Sequence, residues 1–354
     1  MKPTQQQLGR INEPWPERGL EEVGQCPVCD SEEKEMLHEG LRDRVFFCAP
    51  GKWTMYLCKS CHSAYLNPRP TDKTIYLAYE QYFTHQPLPD FNDLSVFGKL
   101  QRKLANGYRN WRFGTTDSPA SRLGILAAIM MPGVRSNIDA VMRHLPKPQL
   151  GQRLLDVGCG NGAFLLRARS AGWDVMGLDF DAKAADVAKQ RGLDVKVGGV
   201  DSLKHVNDAF DIITLAHVIE HVHEPIHLLR DCLRLLKPGG CLWIETPNIN
   251  AYGHMIYGEN WLHLDPPRHL VLFNRESLHK ALYKVGFRLV EDQPYRPLCV
   301  RNFIASEAIA EGRIPWDKKK LSIRSWLISQ KVEYKARKNV SFREYITVKA
   351  IKCV

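Results

Sequence analysis

Leu154-Leu155-Asp156-Val157-Gly158-Cys159-Gly160-Asn161-Gly162 decides the fold: an apolar strand runs into a glycine-rich turn and then into a helix beginning near Ala163. Glycines let the backbone approach a ligand closely and tolerate positive φ. Read literally, Gly158-x-Gly160-x-x-Ala163 also satisfies the dinucleotide fingerprint, so the ligand class has to come from the neighbouring residues. Asp156 sets a carboxylate at the strand end just ahead of the glycines, where a pyrophosphate would be repelled and a sulfonium bearing an ammonium group attracted. Asp179 closes the next strand about twenty residues on, a place from which a carboxylate accepts hydrogen bonds from the ribose of either ligand.

Working outward, strand signals at residues 153–157, 174–178, 194–197, 210–215 and 241–245 alternate with helix signals at 163–171, 182–191 and 225–236. That is a parallel βα series and predicts a doubly wound α/β sheet. A helix at 275–285, closed by Gly286, leads to a sixth strand at 287–291, and alternation at 345–352 supplies a seventh. The chain divides accordingly into a zinc ribbon-like module at 1–71, a helical connector or lid at 72–148, the doubly wound core at 149–296, and a basic insertion with the last strand at 297–354. In the connector, Phe91, Leu94, Phe97, Leu100 and Leu104 recur at three- and four-residue steps, as core packing or as a docking face.

Downstream of the glycine turn come Asp211-Ile212-Ile213-Thr214-Leu215, then His217-Val218-Ile219-Glu220-His221-Val222, then Leu235-Leu236-Lys237-Pro238-Gly239-Gly240 and Thr246-Pro247-Asn248. With these, residues 154–287 resemble the bacterial class I S-adenosylmethionine-dependent methyltransferases. The resemblance implies a seven-stranded, Rossmann-like sheet. It also implies that Gly158, Cys159, Gly160 and Gly162 shape the loop around the methionine part of the cofactor, with Asp156 nearby, and that Asp179 holds the ribose with Phe180 beside it. Val200, Asp201 and Ser202 would lie near the adenine, although Asp201 reads equally as a helix N-cap. His217 and Glu220 fall on the cofactor side.

His217 to His221 also spells H-x-x-E-H, an inverted zinc-protease pattern. Residues leaving a parallel strand lack the helical setting and third ligand which that site needs, so the protease reading is rejected. In the same family a segment of the form Trp261 … Pro266-Pro267-Arg268-His269-Leu270 lines the acceptor pocket, with His263 an extra candidate. Methyl transfer is an in-line displacement, and a base is needed only if the nucleophile starts protonated. His269, or alternatively His221 or His263, is the expected proton acceptor.

Ten cysteines in a chain expected to be cytoplasmic read as metal ligands and buried thiols rather than disulfides. Cys26-Pro27-Val28-Cys29 and Cys58-Lys59-Ser60-Cys61 make a pair of C-x-x-C turns, a set of four thiolates suited to structural zinc. The methyltransferase family often carries such a module followed by Asn-Pro-Arg-Pro, matched here by residues 67–70. Cys48 and His62 are bystanders.

At 44% hydrophobic and 25% charged residues the chain has the balance of a folded globular protein. Its longest apolar run, residues 123–131, is stopped by Pro132 and falls far short of a bilayer span, so no transmembrane helix is expected. From Arg301 onward thirteen Lys or Arg face five Asp or Glu. Such a tail suits an anionic surface or partner, with a solvated helical face as the plain alternative. The expected acceptor is a small molecule, a sugar or a lipid-linked precursor; the alternative, prompted by a pI of 9.1 and the basic tail, is RNA or protein. Base-amino methylation would call for an Asn-Pro-Pro-Tyr-like segment after the fourth strand, where Ala216-His217-Val218-Ile219 stand instead.

Overall fold

Alternation along the parallel strands sorts their side chains to two faces: Leu154 and Ile212 go to one hydrophobic cluster, Leu155 and Ile213 to another. Both faces are therefore covered, as a parallel sheet requires. The computed structural model describes residues 3–79, 95–315 and 321–353; Phe91 and Leu94 of the connector stripe lie outside them.

The chain opens with α1 (Gln5–Arg10) and a small sheet region. There β1 (Leu20–Glu21) pairs with β5 (Arg69–Pro70), and β2 (Lys34–Leu41), β3 (Trp53–Cys58) and β4 (Ala64–Leu66) form an antiparallel meander. Its fourth strand, β11 (Val271–Leu272), comes from about two hundred residues downstream and pairs with β4. After the meander come three helices, α2 (Val96–Phe113), α3 (Leu123–Met130) and α4 (Pro132–Val141).

The core sheet contains β6 (Arg153–Val157), β7 (Asp174–Asp179), β8 (Asp194–Val197), β9 (Phe210–Ala216), β10 (Leu236–Pro247), β12 (Phe287–Asp292) and β13 (Tyr345–Lys352), in the order β12-β13-β10-β9-β6-β7-β8. Strands β6 to β10 run parallel, and β13 enters antiparallel between β10 and β12. Helices α5 (Ala163–Ser170), α6 (Ala182–Gln190), α7 (Pro225–Leu235) and α9 (Arg275–Val285) make the crossovers. The doubly wound, seven-stranded sheet expected from the sequence is the sheet observed. The insertion supplies α10 (Cys299–Ala310) and α11 (Ile323–Lys338), and α8 (Tyr252–Tyr257) follows β10.

Two features place the site. Strand order reverses between β6 and β9, so their carboxyl ends open a crevice, the general ligand position in such sheets. The face bearing Leu155 and Ile213 shares one continuous core with Trp53, Tyr65 and Leu66 of the meander, so the N-terminal sheet is fused to the core.

Candidate functional site

The loop after β6 is fastened from below. Backbone N–H groups of Gly158 and Cys159 donate to the Leu178 carbonyl at the end of β7 (2.8 and 3.0 Å), and Gly160 N–H donates to Asp179 Oδ2 (2.7 Å). Asp179 Oδ1 accepts from Asp181 N–H at 2.9 Å, so this carboxylate ties the loop to the start of α6. Burial pushes the Asp179 carboxyl up, against the pull of these amides. A side chain at 158 would strike Val218 at 2.5 Å and one at 162 would strike Leu193 at 2.3 Å, so those glycines serve close packing. Gly160 differs: its φ is +54°, yet a Cβ there would meet nothing within 4 Å. The loop after β6 therefore leaves open space at this glycine.

Asp156 lies just ahead of this loop, completely buried. Arg143 and Thr214 both hydrogen-bond Oδ1, the arginine stacking on the Phe164 ring at 3.7 Å, while Oδ2 has no partner. Its charge is thus already matched by a cation, and it supports the loop instead of standing as a bare anion in the crevice. Phe180 is 77% exposed, and its ring tip lies 2.7 Å from where a Cβ on Gly199 would be, roofing the start of residues 200–203. Asp201 is exposed there and its carboxylate lies within 4.8 Å of His227 and Asp231 ligand atoms. Cys159 is buried, its thiol pushed up by desolvation.

At the end of β9, His217 takes a left-handed backbone (φ +55°), which aims its ring between two carboxylates. Nδ1 lies 3.3 Å from Glu220 and Nε2 3.6 Å from Glu245. Its ring is 41% exposed; desolvation works against its charge, but the hydrogen bonds and charges of the two carboxylates prevail and push its pKa up to about 9. Glu220 is fully buried and accepts from Thr246 Oγ1 at 2.9 Å; its hydrogen bond with protonated His217, above all, holds it down at about 2 despite burial.

His221 and His269 meet edge to face, centroids 4.7 Å apart. His221 Nδ1 lies 3.0 Å from the Arg268 carbonyl and 3.1 Å from Tyr79 OH, and burial, then the charge of His269, pulls its pKa down to about 4. His269 Nδ1 donates to the His263 carbonyl at 2.7 Å, and its Nε2 lies 3.9 Å from Asp265 Oδ2. One ligand atom each from Glu220, His221 and His269 falls within 4.8 Å of the others, compact enough to relay a proton or hold a divalent cation. His263 is set back: its ring packs on Trp261 and Tyr345, burial holds its pKa well down, and Nε2 has no hydrogen-bond partner.

Arg268 turns away from this cluster. Wholly buried, it binds Asp265 (2.5 Å), Asp43 (2.6 Å) and the Ala78 carbonyl (3.0 Å). Asp43 also accepts backbone N–H bonds from Val45, Phe46, Cys48 and Ala49; burial alone would raise its pKa, but Arg268 and these amides hold it well below the carboxylate range. The loop that carries Arg268 is thereby anchored to the N-terminal region.

The four paired cysteines converge from two matching turns. Sγ of Cys26 lies 3.6 Å from that of Cys61, and Cys29 lies 3.6 Å from Cys58; all four fall within 4.8 Å of one another. A tetrahedron with about 2.3 Å metal–sulfur bonds has edges of about 3.8 Å. Each turn places the residue after its second cysteine, Asp30 or His62, in the left-handed region, and that residue's N–H closes onto the first cysteine's carbonyl.

Residues 131–292 match a family model described as a methyltransferase domain. The chain is 32% identical over 169 residues to a ubiquinone biosynthesis O-methyltransferase of Brucella anthropi, covering 44% of this chain and 68% of that one. The protein of the same name from a Chelativorans species is 30% identical over 186 residues, covering 48% and 73%. The chain belongs to the class I S-adenosylmethionine-dependent methyltransferases. Among solved structures, a methyltransferase of Archaeoglobus fulgidus superposes with a TM-score of 0.43 at 21% identity, covering 64% of this chain and 99% of that one. For phosphoethanolamine N-methyltransferase 2 of Haemonchus contortus the TM-score is 0.45 at 19% identity, covering 82% and 63%.

Several residues of this methyltransferase that shape the site carry no local sequence signal. Arg143 meets Asp156 from the connector, Tyr79 reaches His221 from before α2, and Asp43 meets Arg268 across 225 positions. Tyr345, at the start of β13, wedges between the rings of His217 and His263 at 5.0 and 4.9 Å. Thr246-Pro247-Asn248 did carry a signal: Thr246 holds Glu220, and Asn248 Nδ2 donates to the carbonyls of Ser341 and Arg343 at the end of the insertion.

Proposed function

We propose that the chain O-methylates a hydroxyl of a small organic acceptor, with the His221–His269 pair receiving the hydroxyl proton. The observation that carries this reading is the pair itself. Two imidazoles are in edge contact, backed by the buried carboxylate of Glu220, and His221 follows β9, the neighbour of the strand β6 that leads into the loop at 158–162. The named activity of the Brucella and Chelativorans relatives supports an oxygen acceptor on a small molecule.

S-adenosylmethionine, when bound, supplies an electrophilic methyl on a sulfonium. Residues 158–162 would cradle its amino-acid part over Asp156, Asp179 would accept from its ribose, and Phe180 with residues 200–202 would flank its adenine. His217, protonated at neutral pH between Glu220 and Glu245, cannot accept a proton there; its role is to fix Glu220. His221, pulled down to about 4, is neutral at pH 7 and has Nδ1 turned to Tyr79 and the Arg268 carbonyl. His269 has Nδ1 committed as donor, so its Nε2 takes the acceptor's proton and His221 orients the hydroxyl. His263, set behind Tyr345, supports that ring. Cys26, Cys29, Cys58 and Cys61 are read as a structural zinc site, supported by their near-tetrahedral spacing.

The test is tritiated methyl transfer into a panel of phenols, sugars and lipid-linked precursors, with the natural chain and with His221→Ala, His263→Ala and His269→Ala. Loss of turnover of about a hundredfold in His269→Ala with cofactor affinity retained is expected for a lost base. Full turnover in all three variants would dispose of the histidine base. A turnover abolished by chelator and restored by a divalent cation would instead make the Glu220–His221–His269 cluster a cation site.

A further inference from the structure

We infer that the α2–α3 helix pair is a membrane-docking surface that seats the enzyme on an anionic lipid bilayer. The pair is built inside out. Where α2 and α3 meet, the contact is backbone against backbone: a Cβ on Gly107 would fall 1.7 Å from the Ser121 carbonyl oxygen, and one on Gly124 would fall 1.8 Å from that of Leu104. Gly124 and Ala128, one turn apart, are the buried residues of α3. Small residues at a helix contact allow this approach, and it is the way helices pair in lipid, where large apolar side chains are left to face outward.

The large side chains here do face outward. Leu126 is 56% exposed, Met130 73% and Phe97 68%, with Leu123, Ile129 and Leu100 likewise exposed. Leu123, Leu126 and Met130 share one face of α3. Ser121 meets Gly107 while Gly124 meets Leu104, so the helices run antiparallel, and Phe97 and Leu100 lie alongside the far end of α3. So many large exposed apolar side chains on one helix pair are not ordinary surface for a monomer.

Charge complementarity selects the occupant. Between Ser95 and Arg135 the sequence holds seven Lys or Arg and one acid, Asp117, which is paired with Arg109 at 2.8 Å. Exposed Lys103, Arg122 and Arg135 rim the apolar face. Apolar side chains ringed by cations suit the interface of an anionic bilayer, where each cation strengthens binding about fivefold. No helix among the described residues is long and apolar enough to cross a membrane, so the surface lies on the bilayer. The inference stands on a different part of the chain from the methyl-transfer site and does not depend on which acceptor is used.

The experiment is co-sedimentation of the full chain with vesicles of phosphatidylcholine, alone or with about one third phosphatidylglycerol, at low salt and at about 0.5 M salt. The natural chain should pellet with the anionic vesicles and be released by salt or by their replacement with neutral ones. Leu126→Gln/Ile129→Gln/Met130→Gln removes only exposed side chains and should weaken binding about tenfold or more at an unchanged melting temperature. Arg122→Glu/Arg135→Glu should abolish the preference for anionic lipid. Failure of the natural chain to pellet, or equal pelleting of the triple variant, overturns the inference. So does a natural-chain dimer, dissolved by the triple substitution, that vesicles do not disrupt.

Discussion

Gly160 offers the sharpest test of where the cofactor lies. Its backbone is left-handed and a Cβ there would touch no protein atom, so Gly160→Ala adds one methyl to the space assigned to the ligand. The left-handed conformation costs alanine about 1–2 kcal/mol. For a domain of this size that lowers the melting temperature by about 2–4 °C per kcal/mol. In the cofactor-bound state the methyl must also share space with the ligand, and overpacking of that kind costs about 1–3 kcal/mol more, or roughly five- to 150-fold in affinity. Gly151 supplies the control: it lies in the turn before β6 at φ +80°, also with nothing within 4 Å, so Gly151→Ala carries the same backbone strain away from the crevice. Calorimetric titration with S-adenosylhomocysteine should show Gly160→Ala binding weakly and Gly151→Ala binding like the natural chain, with both melting a few degrees lower. If Gly160→Ala binds the nucleoside as tightly as the natural chain, the open space before it is not the cofactor cradle.

Arg268→Ala leaves Asp43 and Asp265 buried without their cation and should destabilise the protein by about 3–5 kcal/mol in urea unfolding; a loss too small to measure would show the network to be ornamental. His217 has a folded pKa of about 9 against an ordinary 6.5, so its bonds to Glu220 and Glu245 stabilise fully below 6.5 and are lost as pH rises through 9. The melting temperature should therefore fall over that window, less steeply in Glu220→Gln, and a flat profile would contradict the pairing. Elemental analysis should find about one zinc per chain. Cys58→Ser should lose the metal and melt lower, whereas a metal-free chain of unchanged stability would remove the structural-zinc reading.

Much of the core was legible because it is made of local periodicities. Residues 153–157 and 210–215 are short, mostly apolar runs leading into glycine or histidine, and the structure has strands there because both sheet faces are buried. The sequence ends a helix at 236 and opens a strand at 241; in the structure β10 already starts at Leu236 and takes in Lys237-Pro238-Gly239-Gly240 as an irregularity in its pairing with β9. What could not be read were contacts between distant segments. Nothing near Asp156 announces that Arg143 neutralises it, and a lone carboxylate in sequence looks like an open charge until its partner is placed. Arg268 is similar: beside two prolines and a histidine it reads as a pocket residue, but its partners include Asp43 and Ala78, brought in by the meander. The two cysteine pairs were legible because tight C-x-x-C turns leave a short-range spacing, and Tyr345 was not, since its ring contacts come from strand order alone.

The pairing of β11 with β4 has a practical consequence for anyone cutting this gene into pieces. Removing the first seventy-odd residues would not detach a bead from a string: it would strip Leu272 and Val271 of their ladder and leave the Asn274 amide without the Cys61 carbonyl it now grips at 2.8 Å. Val271, Leu272 and Asn274 come just after His269, so a truncation meant to isolate the methyltransferase half would loosen the very segment that carries the proposed base. Chimeras should exchange both stretches together.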